Sequence, residues 1–315
     1  MPNWSNPQEI RIPTSYGFIA AKVWGEEHHE PVLALHGWQD NAGTFDKLIP
    51  LLNQDFYVVA IDLPGRGLSS HFPNGAIYHY LNILLEIKRV VDYLKWETFS
   101  IISHSLGGAY ALLYCCIYPE SVITTVLLDF VKPFSHDENA MRYVLCQNME
   151  ELLKVEQKLL KQPPVYSYKE ARERLIRGLL NQITEEEADI LLKRACQLSK
   201  CGTGVIFSRD IRTQAKLSSE FSHDTLKAYL RNMRNNLLII LGKDAPELHG
   251  LREGMNDFLN LYKETCKNFQ LAEIDGNHYV HLNNPGRVAP VINNFLQQHL
   301  SQARKISLIN PIYFY

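Results

Sequence analysis

No stretch of the 315-residue chain is an uncharged apolar run of the roughly 20 residues that a membrane-spanning helix needs, so a bilayer-embedded class is not expected. Excess charge is missing as well. Thirty-two basic residues against 34 acidic ones leave −2 at neutral pH, which gives no electrostatic reason to expect nucleic acid or an anionic membrane as a partner. The six cysteines (Cys115, Cys116, Cys146, Cys196, Cys201, Cys266) are scattered without the spacing of a metal site. The Glu26-Glu27-His28-His29-Glu30 run lacks that spacing too, so neither a metal nor another cofactor is expected. Met1 to Pro7 have neither the basic nor the apolar region of a secretory signal. Reduced thiols and an intracellular, cytoplasmic location are the expectation. There is no internal repeat and no low-complexity segment.

What is present is an ordinary globular balance, 46% hydrophobic and 21% charged, over a length that suits one large α/β domain or one carrying an insertion. Residues 9–12 and 18–24 read as two strands joined at Ser15-Tyr16-Gly17. Pro31 to Leu35 and Phe56 to Ile61 are continuous apolar runs, as in strands covered on both faces. The first ends on His36-Gly37-Trp38 and the second on Asp62-Leu63-Pro64-Gly65-Arg66-Gly67-Leu68-Ser69-Ser70, with a helical patch over 44–52 between them. Leu81, Leu84, Ile87, Val91 and Leu94 recur at helical spacing. A strand from Phe99 then turns at Ser105 into an apolar helix over 106–118, and Val122 to Asp129 form the next strand.

From Val131 to Asn235 the pattern becomes helical and charged, with no buried strand. Helices are predicted over 137–161, from a capping box at Thr184-Glu185-Glu186-Glu187, and from Ser222 or Asp224 to Arg234. A strand resumes at Leu237 to Leu241 and stops at Gly242-Lys243-Asp244; after a helix over 251–266 a last strand, 269–274, delivers Asp275-Gly276-Asn277-His278. Asn284 caps a final helix, with its regular part placed after Pro290. The prediction is a mostly parallel central sheet with helices on both faces, its core made of 1–130 and 236–303, with 131–235 inserted as a helical cap.

Loops after parallel strands emerge at one edge of the sheet, so residues distant in sequence meet there. Ser105 lies at an abrupt strand-to-helix corner with Ser103 two before it and Gly107 two after, the shape of a nucleophile elbow. A serine hydroxyl must lose a proton to attack, a histidine can take it, and a carboxylate behind the ring fixes the tautomer. The chain supplies these in the order Ser105, then Asp244 or Asp129, then His278. Backbone N–H groups of Trp38 and Leu106 are the candidate oxyanion donors. His36 and His104 are expected to hold loops, His281 to be structural, and Asp62 and Arg66 to stabilise a tight loop.

With these motifs together the chain resembles the α/β-hydrolases, and within them the serine hydrolase-like (kraken-type) branch. The resemblance rests on His-Gly-Trp at 36–38, Asp-Leu-Pro-Gly-Arg-Gly-x-Ser-Ser at 62–70, Ser-His-Ser-Leu-Gly-Gly at 103–108 and Gly-Asn-His-Tyr-Val-His-Leu-Asn-x-Pro at 276–285. Phe207-Ser208-Arg209-Asp210 late in the cap is similar to that branch too. The resemblance implies a Ser-Asp-His hydrolase with a helical lid. Two positions depart from it: Ser103 stands where glycine is usual, and Ala245 where the acid usually stands, with Asp244 one residue early. Asp244 is preferred as the acid, Asp129 is the alternate and Glu247 a third choice. The expected activity is carboxylic ester hydrolysis through an acyl-enzyme on Ser105. A lyase using the same three groups, or a ligand-binding protein without turnover, stands as the alternative. The expected partner is a small apolar acyl compound; cap aromatics such as Phe130, Phe134, Tyr143, Phe207 and Phe221 are candidates to line its site, but periodicity makes most of them ordinary helix packing. The sequence states no oligomeric order.

Overall fold

The computed structural model describes residues 4, 6–215, 221–246 and 254–309, with side chains to 300. Strands β1 (Gln8–Thr14), β2 (Gly17–Trp24), β3 (Glu30–Leu35), β4 (Phe56–Ile61), β5 (Phe99–His104) and β6 (Val122–Leu128) come first along the chain. A short pair, β7 (Cys196–Leu198) and β8 (Val205–Phe207), precedes β9 (Asn236–Gly242) and β10 (Asn268–Ile274). Eight of them form one sheet in the order β1-β2-β4-β3-β5-β6-β9-β10, antiparallel at β1-β2 and β2-β4 and parallel elsewhere. The apolar runs become strands because alternate residues serve two separate cores. Leu33, Leu35, Ile101, Leu127 and Ile239 point into one, and Val32, Ala34, Ile102, Val126 and Ile240 into the other.

Helices α1 (Tyr80–Tyr93) and α2 (Leu106–Ile117) cover the first face. Then come α3 (Met141–Leu159), α4 (Tyr168–Gly178), α5 (Glu185–Ala195) and α6 (His223–Leu230), all between β6 and β9. α7 (Met255–Thr265) joins the first face, and after the short α8 (Val280–Asn283) the long α9 (Pro285–Ile309) covers the second. Two stretches differ from expectation. The patch over 44–52 is two 3₁₀ turns, Ala42–Phe45 and Ile49–Leu51, the second holding Pro50. The last helix starts at Pro285 and runs through Pro290, whose missing N–H would have bonded the carbonyl of Gly286 in the first turn, so little of the ladder is lost.

Segment 131–235 gives no strand to the large sheet. It is not purely helical, since β7 and β8 pair as a small antiparallel hairpin whose partial burial left no continuous apolar run to read. Capping boxes open α4 at Ser167 and α5 at Thr184. A small core of Ala171, Leu175, Leu179, Ala188 and Leu191 closes on Tyr279 and Leu282, the stretch just after β10. Two ionic latches add to this packing. Arg194 donates to the buried carboxylate of Asp62 (2.7 Å) and pairs with Glu9 of β1. Asp210 receives Arg212 (2.6 Å) and the Tyr78 hydroxyl (2.9 Å), while Arg212 also donates to the carbonyls of Phe72, Pro73 and Ala76.

Candidate active site

The chain passes from β3 outward to β4 and then returns past β3 to β5, so the strand order reverses between β3 and β5. At such a reversal the loops beyond the strand ends part and leave a crevice. Ser105 stands there with φ 50° and ψ −120°, a backbone region that a non-glycine residue occupies only under strain. The surrounding chain holds it: Ser105 N–H donates to Leu128 O (3.1 Å), and Gly108 N–H to Ser105 O (2.7 Å). The turn tolerates no bulk. A methyl on Gly107 would come within 2.3 Å of the Leu35 carbonyl oxygen, and one on Gly37 within 2.9 Å of His104 Nδ1 and 3.3 Å of Ser105 Cβ. The His36-Gly37-Trp38 turn is therefore pressed against the elbow, and Leu106 opens α2 immediately beyond it. Ser103 takes the place of glycine without strain, its hydroxyl donating to Val126 O (3.2 Å).

The loop after β10 brings His278 to this corner, with Nε2 3.0 Å from Ser105 Oγ. Its Nδ1 lies 2.6 Å from Asp129 Oδ2. This corrects the preference for Asp244. Asp129 follows the last residue of β6 in a left-handed turn (φ 48°), a conformation aspartate tolerates better than most residues, and its N–H donates to Ile240 O (2.7 Å). Its second oxygen accepts the Gly242 N–H (2.9 Å), so a backbone amide of β9 aims the first oxygen at the ring. Asp244 lies past the end of β9, exposed, its own N–H spent on Gly276 O (2.9 Å). Glu247 lies outside the described residues.

Around His278 burial favours the neutral form of the other buried histidines, two of them tied to the main chain and the third to a hydroxyl. His36 accepts the Leu63 N–H at Nε2 (3.0 Å) and donates from Nδ1 to Gly37 O (2.8 Å); burial holds its pKa down at about 4. His104 donates from Nε2 to His278 O (3.0 Å), and burial followed by the proximity of His278 keeps its pKa well below the usual value. His281 meets Thr44 Oγ1 (2.9 Å) and is held down the same way, by burial first. Asp62 accepts the Ala42 and Leu68 N–H groups (both 2.8 Å), and Arg66 donates to Pro64 O (3.2 Å), so both serve the tight loop they were read into.

Sequence reasoning missed two contributors. Gln182 accepts the His278 N–H at Oε1 (3.1 Å), and its carbonyl receives Asn277 (2.7 Å) and Asn283 (2.9 Å). Nothing in the local sequence marks it, because it reaches the loop from between α4 and α5. Asp40 lies buried 3.7 Å from His104 Nδ1, and burial pushes its carboxyl up to about 6. Phe130 and Phe221 are buried in the core and Tyr143 is 67% exposed, while Phe207 faces a cavity with Trp38 and Gln39. All six cysteines are free thiols, and among the described residues no helix is long and apolar enough to cross a membrane.

Comparison with known proteins agrees with this geometry. Residues 30–171 match the alpha/beta hydrolase fold family. The chain is 38% identical over 301 residues to human (Homo sapiens) serine hydrolase-like protein 2, covering 92% of this chain and 94% of that protein. It is 36% identical over 296 residues to the serine hydrolase-like protein of Danio rerio, covering 92% and 88%. The crystal structure of a hypothetical protein from Pseudomonas aeruginosa superposes with a TM-score of 0.80 at 27% identity, covering 92% and 99%. An elbow serine facing a histidine at the open edge of a parallel sheet, and this extent of likeness, place the chain in the serine hydrolase-like family of the α/β-hydrolase fold.

Proposed function

We propose that this protein hydrolyses carboxylic esters through an acyl-enzyme on Ser105, with His278 as general base and then general acid and Asp129 as the orienting acid. The reading is carried by one observation, the continuous path from Ser105 Oγ to His278 Nε2 (3.0 Å) and from His278 Nδ1 to Asp129 Oδ2 (2.6 Å). Ser105 Oγ attacks the ester carbonyl carbon as its proton passes to Nε2. The carbonyl oxygen takes up the charge and is met by the backbone N–H groups of Leu106 and Trp38, with the positive end of α2 behind the first. Collapse expels the alcohol, which leaves with the proton held on His278. Water then gives a proton to His278 and attacks the acyl carbon, restoring Ser105 and releasing the acid. Segment 131–235 acts as the lid that roofs the crevice and selects the substrate. Trp38 Nε1 (3.2 Å) and Gln39 Nε2 (2.8 Å) both donate to Thr213 O, which supports that placement.

A displaced acid at Asp244 would favour a binding protein without turnover, whereas Asp129 at 2.6 Å from the ring supports the hydrolytic reading. A fluorophosphonate probe is expected to label the wild type and to spare Ser105→Ala, and a p-nitrophenyl ester panel is expected to lose about 10⁶-fold in turnover with the same change. Labelling that survives the substitution sinks the assignment.

A further inference from the structure

Against Trp38, in the turn that packs on the elbow, lies a cavity of about 230 Å³ walled by Trp38, Val155, Leu175, Leu179 and Phe207, with Lys158, Arg174 and Arg209 among its lining residues. Its volume is below the roughly 300 Å³ at which whole-ligand sites begin, so it suits one end of a molecule whose remainder lies elsewhere. Four arginines of segment 131–235 meet carboxylates: Arg172 meets Glu185 and Asp189, Arg177 meets Glu173, Arg194 meets Asp62, and Arg212 meets Asp210. Among the described residues neither Arg174 nor Arg209 has an acidic partner at ion-pair distance. Arg209 lies over the Phe207 ring (4.6 Å) and Arg174 over Tyr166 (5.3 Å), contacts that attract a cation without neutralising it. The one acidic lining residue, Glu151, is engaged by Lys154 at 3.0 Å.

Arg209 lies at the bend just past β8, between two anchored neighbours. Ser208 Oγ donates to Gly67 O and Arg194 O (both 3.0 Å), and the Asp210 carboxylate takes Arg212 and Tyr78, so these two grip the body of the molecule. Phe207 and Arg209 turn the other way, into the cavity. Burial, and then repulsion from Arg174, both weigh against the charge of Arg209, the situation an anion would relieve.

We propose that this cavity binds an anionic group, a carboxylate or a phosphate, at the end of the substrate remote from the scissile ester. The substrate class is then an ester with an apolar middle and a charged end, and not the wholly apolar acyl compound expected from the sequence. This rests on the hydrolase reading for its ester, and on the cavity alone for its anion.

The test compares esters bearing a terminal carboxylate, a terminal phosphate or a neutral methyl-capped end. The charged end is carried either on the acyl chain or on the alcohol, at six or more carbons so that it cannot attack its own ester. In at least one series the wild type is expected to favour a charged end by about tenfold or more in kcat/KM, and which end wins separates carboxylate from phosphate. Arg209→Gln and Arg174→Gln are each expected to reduce that preference to about twofold or less, chiefly through KM. Arg177→Gln, off the cavity on the same helix, keeps it. No preference for either charged end in either series, or a preference that survives Arg209→Gln, overturns the proposal. If no ester turns over, binding of adipate and of butyl phosphate to Ser105→Ala by calorimetry still decides it. Binding lost in the Arg209→Gln double variant upholds the anion site while the esterase reading falls, and absence of binding overturns the site.

Discussion

The sheet edge and segment 131–235, the proposed lid, solve opposite problems with the same chain. Beyond β3, β5 and β6 the backbone is forced into left-handed conformations at Gln39, Ser105 and Asp129, and strands buried on both faces hold it there. In that segment α4, α5 and α6 are short and side-chain capped, and a few side chains tie it down. Its longest helix, α3, leaves Met149 and Leu153 more than half exposed. Segment 131–235 has positive φ as well, at Leu180 and Asn181, but there no flanking strands fix the turn; at the sheet edge neighbouring strands over-determine the geometry.

This contrast can be broken at its strongest point first. Asp129→Asn is expected to lower ester turnover by about 10⁴-fold by losing control of the His278 tautomer, whereas Asp244→Asn stays within about twofold. A larger loss in Asp244→Asn than in Asp129→Asn would return the acid to Asp244. The seam comes next. Arg194→Ala leaves the fully buried Asp62 carboxylate without its cation and should cost about 3–5 kcal/mol of stability in chemical denaturation. A loss below about 1 kcal/mol would mean that the lid does not depend on this latch. A smaller effect is expected from Gln182→Ala, which frees the His278 backbone from the lid. It should reduce kcat about tenfold, the cost of roughly one hydrogen bond's worth of positioning, without moving the melting temperature by more than a few degrees.

The gentlest test is acidity. His36, held near 4 against a free value of 6.5, contributes stability that is complete above pH 6.5 and lost as the pH falls towards 4. His104 and His281, lowered for the same first cause, pull the same way. Asp40 opposes them. Its carboxyl, raised to about 6 from 3.8, stabilises below pH 3.8 and loses that contribution as the pH rises through 6. Melting temperatures of Asp40→Asn should therefore fall more steeply than those of the wild type between pH 6.5 and 4. Parallel curves would show that Asp40 is charged throughout.

Much of this was legible beforehand, for identifiable reasons. Apolar runs such as 31–35 and 56–61 can be buried on both sides only as interior strands, and Ser105 announces itself by the small residues flanking an abrupt change of pattern. His278 was legible because a Gly-Asn turn follows the last strand. The acid was not. Two aspartates follow two adjacent strands, and the choice between them depends on register (Leu128 beside Ile240, Ile274 beside Gly242) and on a left-handed turn at 129. Gln182 and the β7–β8 hairpin were hidden because the lid's path over the sheet decides what they touch.

The lid departs after β6 and comes back at β9, and those two strands lie side by side, Thr124 level with Asn236. Everything in between is thus moored at two points one strand spacing apart. Lengthening such an excursion costs the rest of the molecule little, since closing a longer loop is only slightly harder than closing a short one. A different roof could be spliced onto the same reacting centre, changing what is admitted while leaving the bond-breaking apparatus where it stands.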